Sequence, residues 1–163
     1  MEGIADQLSI IYRVLIAIIL SGCVGFEREH LQKPAGLRTN MIIGGSACLI
    51  VSLAPVLILY IENLTTQEMV QADPIRLLHA MVVGVSFIGA GTIIKSGDEK
   101  ISGLTTAATL LFSMAIGAAV AIEQYIIGIG ITVIVLIINL AVRKITIPRS
   151  LDKDNEQNQK DES

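Results

Sequence analysis

Five stretches of nearly uninterrupted apolar residues, at 8–26, 41–61, 75–94, 104–122 and 125–142, are separated by short polar segments. At about 1.5 Å per residue each run can cross roughly 30 Å of hydrocarbon as a helix, the last only barely. Lipid offers no partner for a backbone amide or carbonyl, so five open segments of this length must be helices. The pattern predicts an all-α integral membrane protein, a compact bundle of five transmembrane helices occupying residues 1–149. The apolar positions stop after Pro148, and 150–163 reads as a disordered acidic tail.

Composition agrees with that pattern. Of the 163 residues, 52% are hydrophobic and 17% charged, with a mean hydropathy of +0.67, against about 25% charged in an average soluble domain. The tail holds five acids and two bases, a balance of −3 that equals the net charge of the whole chain. Residues 1–149 are therefore neutral overall, and no basic face exists to bind nucleic acid. A soluble enzyme and a secreted disulfide scaffold are excluded on the same grounds. Cys23 and Cys48 lie inside apolar runs, away from any His/Cys cluster, and read as small buried hydrophobes. Leu20-Ser21-Gly22-Cys23 has the spacing of a lipoprotein processing site, but the acidic start MEGIADQ lacks the basic region a signal peptide needs.

The basic residues set an orientation. Arg28, Lys33 and Arg38 in the first loop, Lys95 and Lys100 in the third, and Arg143, Lys144, Arg149, Lys153 and Lys160 after the last span make 10 of the 12 Lys and Arg, all on one side. By the positive-inside rule this places the N-terminus outside and the C-terminus in the cytoplasm. Tyr12, Tyr60 and Tyr125 then fall at the outer ends of their spans, where a polar-tipped ring prefers the interface.

Small residues recur at helical spacing. Ala17, Ser21 and Gly25 form one row, Ser113, Gly117 and Ala121 another, and the third span carries Ala80 with Gly84, Ser86 with Ala90, and Gly89 and Gly91. Such rows let helix backbones approach within a membrane. They predict close packing and leave room for a homodimer; they do not predict a pore.

Polar residues at membrane depth are costly and are candidates for function by default. On the outer side, Asp73, Arg76 and His79 stand three apart and descend one helix face. Asp73 followed by Pro74 is also the arrangement that caps a helix. The alternative to capping is an ion or proton relay, or a site for an anionic group. Asp73 is a weak candidate for Mg2+, which wants more oxygen ligands; Glu62 and Glu68 lie in the same loop, but the charge of Arg76 opposes the cation. Arg13, in the outer half of the first span, either snorkels outward or turns inward against a carboxylate such as Asp73. On the cytoplasmic side, Glu27, Arg28 and Glu29 end the first span, Arg38, Thr39 and Asn40 lead into the second, and Thr105 and Thr106 open the fourth. These are positive-inside anchors with a Thr or Asn cap, or a specific polar cluster; Glu27, Arg38 and the two threonine hydroxyls are expected to meet. No nucleophile–base pair, phosphate loop or metal motif is present in the sequence, so the chain does not read as an enzyme and calls for no cofactor.

The ordered motifs Gly22-x-x-Gly25-Phe26-Glu27-Arg28-Glu29, Ala35-Gly36-Leu37-Arg38-Thr39, Asp73-Pro74-x-Arg76, Phe87-Ile88-Gly89-Ala90-Gly91 and Gly103-Leu104-Thr105-Thr106-Ala107-Ala108 resemble the MgtC/SapB membrane domain, in particular its YhiD-like branch. The resemblance implies a bacterial inner-membrane, multi-pass protein of about five helices. It further implies a non-enzymatic accessory or regulatory role exerted through other membrane proteins. The best-studied branch is tied to magnesium limitation and to survival inside host cells. Departures include Ser86 in place of a glycine, Leu111 in place of a tryptophan, and the short acidic tail in place of a soluble C-terminal domain. The alternative function is an ion or solute channel or transporter, Mg2+ included, with the two polar clusters as its mouths. Five short helices hardly enclose a path, so that role calls for an oligomer.

Overall fold

The computed structural model describes residues 3–64, 73–93 and 102–146. The tail at 150–163, Glu68 and the loop bases Lys95 and Lys100 lie outside the described residues. Five helices follow in order: α1 (Ile4–His30), α2 (Leu37–Leu64), α3 (Pro74–Thr92), α4 (Leu104–Ala121) and α5 (Tyr125–Thr146). Four of them are long and apolar enough to cross a membrane, over Ile4–His30, Leu37–Glu62, Pro74–Thr92 and Leu104–Ala121, while the apolar part of α5 is the shorter Tyr125–Ala141. The protein is an all-α, multi-pass membrane bundle.

Helix ends follow local chemistry. Asp73 caps α3, its Oδ1 accepting from Ile75 N at 2.9 Å with Pro74 at the first helical position, where its missing N–H costs nothing. α1 runs one turn past the predicted limit at residue 26, and α2 starts four residues before the predicted 41. Both extensions are polar turns held by side chains of the facing helix. α4 passes to α5 through a tight turn in which Glu123 adopts φ +63°.

α4 lies at the centre. It buries residues on most of its circumference, including Thr106, Leu110, Ser113, Ile116, Gly117 and Val120, and packs against all four other helices. Three apolar clusters radiate from it. Ile43, Ala47, Met81, Leu110 and Met114 join α2, α3 and α4. Ala17, Cys48, Val120 and Ala121 join α1, α2 and α4. Val24, Ile116 and Val135 join α1, α4 and α5.

The small residues divide into two groups. Ala17 and Ser21 are 0% exposed and Gly25 is buried. The carbonyl of Gly44 on α2 occupies the space a Cβ on Gly117 would need, so two backbones touch there. Gly89 rests on Ala107 of α4. Gly84 and Gly91 do not fit the expectation of close packing, because a Cβ on either would meet nothing within 4 Å. The reason is the rotation of α3. Its row Leu77, Met81, Val85 and Gly89, at i, i+4 spacing, meets α4 and the core, and this turns Ala80, Gly84, Ser86, Ala90 and Gly91 outward.

Candidate functional site

The end of the bundle formed by the C-terminus of α1, the N-termini of α2 and α4 and the last turns of α5 holds most of the polar contacts between helices. Successive residues on a helix point about 100° apart, so three consecutive charged residues on α1 reach three different neighbours. Glu27 Oε2 accepts from Asn139 Nδ2 of α5 at 2.9 Å. Arg28 Nη2 donates to Thr106 Oγ1 of α4 at 2.8 Å, with the residue only 5% exposed. Glu29 Oε2 accepts from Leu37 N at 2.8 Å, capping α2 from outside. Removing that cap in Glu29→Ala is expected to cost about 1 kcal/mol, read as a lower thermal midpoint in detergent with helix content unchanged at low temperature.

One turn deeper, Ser21, Asn40 and Ser113 are each 0% exposed. Ser113 Oγ donates to Asn40 Oδ1 at 2.7 Å, and Asn40 Nδ2 donates to the carbonyls of Ala35 (2.8 Å) and Gly36 (2.9 Å). Ser21 Oγ donates to the Ser113 carbonyl at 3.4 Å. This seam ties α1, α2 and α4 together inside an apolar interior, where a satisfied polar network rigidifies and an unsatisfied one is expensive. Two buried atoms at this end make no hydrogen bond, Glu27 Oε1 and Arg28 Nε. Beside them, an open apolar groove of about 630 Å³ runs over α1 between α2 and α5, lined by Ile19, Gly22, Phe26, Met41, Leu136 and Leu140, with Glu27 and His30 at its polar end.

The expected meeting of Glu27, Arg38, Thr105 and Thr106 does not occur. Arg38 and Thr105 are exposed and Thr39 is half-buried. Arg38 lies two positions before Asn40, about 200° round the helix, so burying Asn40 turns Arg38 outward. Thr105 contributes only its carbonyl, which accepts from Thr109 Oγ1 at 2.7 Å. Arg28 takes the central place instead. Asn139 is the member the sequence reasoning missed, while Asn40 and Ser113, read there as a helix cap and a small packing residue, form the centre of the seam. Asn139 was open to detection, since it interrupts the apolar run of the fifth span.

At the other end, Arg13 turns inward, but not to Asp73. Its Nη1 donates to the Ala121 carbonyl at 2.9 Å and lies 3.4 Å from Glu123 Oε1, and its Nη2 donates to Ser9 Oγ at 3.2 Å. The left-handed turn at Glu123 sets that carboxylate over the end of α4. Asp73 instead caps α3 and lies 3.5 Å from Arg76 Nε, whose side chain is 89% exposed; His79 is exposed as well. Asp73, Arg76 and His79 are thus on α3 away from its packed row, and no relay through the bundle forms from them. Among the described residues no group of three His, Cys, Asp or Glu side chains is placed to hold a metal ion. Cys23 is exposed and Cys48 buried.

Comparison with known proteins adds identity to this geometry. A relative from Haemophilus influenzae described as an uncharacterized protein is 38% identical over 115 residues, 70% of this chain and 47% of its own length. The protein called "Putative magnesium transporter YhiD" of Escherichia coli K12 is 35% identical over 128 residues, 78% of this chain and 58% of its own. Protein MgtC of Salmonella typhimurium is 32% identical over 134 residues, 82% of this chain and 52% of its own. The chain spans about half the length of these curated relatives. No solved structure matches it. The pattern that defines the MgtC family runs through residues 14–147, taking in the charged triplet of α1, the serine–asparagine seam and α3, and the chain belongs to that family.

Proposed function

We propose that this chain is a non-enzymatic accessory protein of the bacterial inner membrane. In this reading it acts by binding another membrane protein, in the setting of magnesium homeostasis that the names of its relatives suggest. Its N-terminus lies outside and its C-terminus in the cytoplasm, as the distribution of bases favours. The observation that carries the reading is the closed centre of the bundle. Gly44 and Gly117 bring α2 and α4 into backbone contact, and Ser21, Asn40 and Ser113 spend their hydrogen bonds on one another and on neighbouring carbonyls at 0% exposure. A conducting path needs polar groups that face water or an ion, whereas these groups are occupied in holding helices together. The outward small-residue face of α3 supports docking of a partner helix.

A second reading, a Mg2+ channel or transporter, is favoured by the name of the Escherichia coli relative. Proteoliposomes loaded with a Mg2+ dye and given a membrane potential separate the two. Folded, correctly inserted protein is expected to give no flux above empty liposomes, and photocrosslinkers at Gly84 or Gly91 are expected to capture a second membrane protein in cells. Flux that scales with protein content would reject the accessory role.

A further inference from the structure

The first turn of α4 has no side-chain cap. Gly103 occupies the N-cap position at φ +93°, and the first backbone bond of the helix runs from Ala107 N to Gly103 O at 3.0 Å. The amides of Leu104, Thr105 and Thr106 precede that bond and lack a helical acceptor. Arg28 reaches this same turn. Its Nη2 is fixed on Thr106 Oγ1 at 2.8 Å, its side chain is 5% exposed, and its Nε is buried without a partner.

Among the described residues, Glu27 is the carboxylate whose charge acts on Arg28, and it makes no ion pair with it within 4.0 Å. Of the carboxylates that flank it on α1, Glu27 gives Oε2 to Asn139 and keeps Oε1 buried without a hydrogen bond, and Glu29 is engaged on Leu37 N. Among the described residues, the ion pairs within 4.0 Å are Arg13–Glu123 and Arg76–Asp73, and Arg28 belongs to neither. A helix N-terminus carries partial positive charge, so two positive groups meet where Arg28 touches the buried Thr106. Burying a charge with no counter-charge in contact is costly. Free amides at a helix start, joined by a guanidinium, are what an oxyanion binds, and a planar fork with an unused N–H suits a phosphate better than a lysine would.

We propose that Arg28 and the N-terminal turn of α4 form a binding site for a phosphate group, held by Arg28 Nε and the free amides of residues 104–106. The group is either the headgroup phosphate of an anionic lipid or free inorganic phosphate; the recognition chemistry is the same. The site does not depend on the accessory role, since it requires neither a partner helix nor flux.

The test uses the full chain, stripped of lipid in a neutral detergent and labelled with 15N at arginine Nε. The Arg28 Nε–H resonance is assigned by its loss in Arg28→Lys. Inorganic phosphate is titrated at constant ionic strength against sodium chloride, and dioleoylphosphatidylglycerol is titrated in a parallel sample. A saturable shift of this resonance with one of them is expected, and which one responds identifies the source. Thr106→Val, which keeps the shape of the turn and releases the guanidinium, is expected to weaken that response by about tenfold. Exposed Lys33→Gln at the same end is expected to leave it unchanged. No response to either phosphate, or a response equal in Thr106→Val, overturns the site. It is also overturned if the resonance ignores both phosphates yet moves in Asp98→Asn/Glu99→Gln, because the counter-charge then comes from the chain itself.

Discussion

Gly117→Val is expected to cost about 3 kcal/mol or more, enough to leave little folded protein in mild detergent. A Cβ at this position runs into the Gly44 carbonyl and comes within 3.0 Å of the Ala47 Cβ. Neither is the end of a flexible side chain, so relief requires separating α2 from α4. That separation opens the cluster of Ile43, Ala47, Leu110 and Met114. Gly84→Ala is the control. The space around Gly84 is open, and alanine is the better helix former by about 1 kcal/mol, so this variant is expected to match or exceed the parent. Thermal unfolding of the two proteins side by side decides the matter. Equal stability of Gly117→Val and the parent would mean that α2 and α4 do not meet at this point.

Asn40→Leu is expected to cost about 2–4 kcal/mol, since it leaves the Ser113 hydroxyl buried without its partner at about 1–3 kcal/mol and the part-buried Ala35 carbonyl without its own at about 1 kcal/mol. The Gly36 carbonyl keeps the backbone bond from Asn40 N at 3.3 Å and is spared. Adding Ser113→Ala to this variant removes one stranded group and is expected to recover about 1 kcal/mol, although Ser113→Ala alone destabilises. That change of sign distinguishes a direct pair from two independent sites. Two losses that simply add would show that the residues do not interact.

The spans were legible because a run of about 20 apolar residues has few other uses. Which way each helix faces was not. A membrane helix is apolar all round, so the hydrophobic periodicity that marks the inner face of a soluble helix is absent. Spacing could show that Gly84, Gly89 and Gly91 were candidates for contact, but only the rotation of α3 separates Gly89 on Ala107 from the other two. The site was partly legible for the same reason. Glu27, Arg28, Glu29 and Thr106 stood out as charges and hydroxyls at span ends. The choice of Arg28 over Arg38 depended on the burial of Asn40, and that depends on a partner 73 positions away in sequence, Ser113. Arg13 shows the same limit: its need for an acceptor was evident, but the acceptors lie at Ala121 and Glu123, 108 and more positions distant.

The uneven attachment of α3 has a consequence for biogenesis. α1 and α2 share the largest contact in the bundle, whereas α3 barely touches α2 and rests on α4. A chain emerging from the ribosome can therefore close its first hairpin as soon as α2 enters the bilayer. α3 arrives next with nothing to hold it, and its row of Leu77, Met81, Val85 and Gly89 faces lipid until α4 is inserted. The fourth helix is the keystone of assembly, and a nascent chain stalled before it would carry a formed hairpin and one unanchored helix.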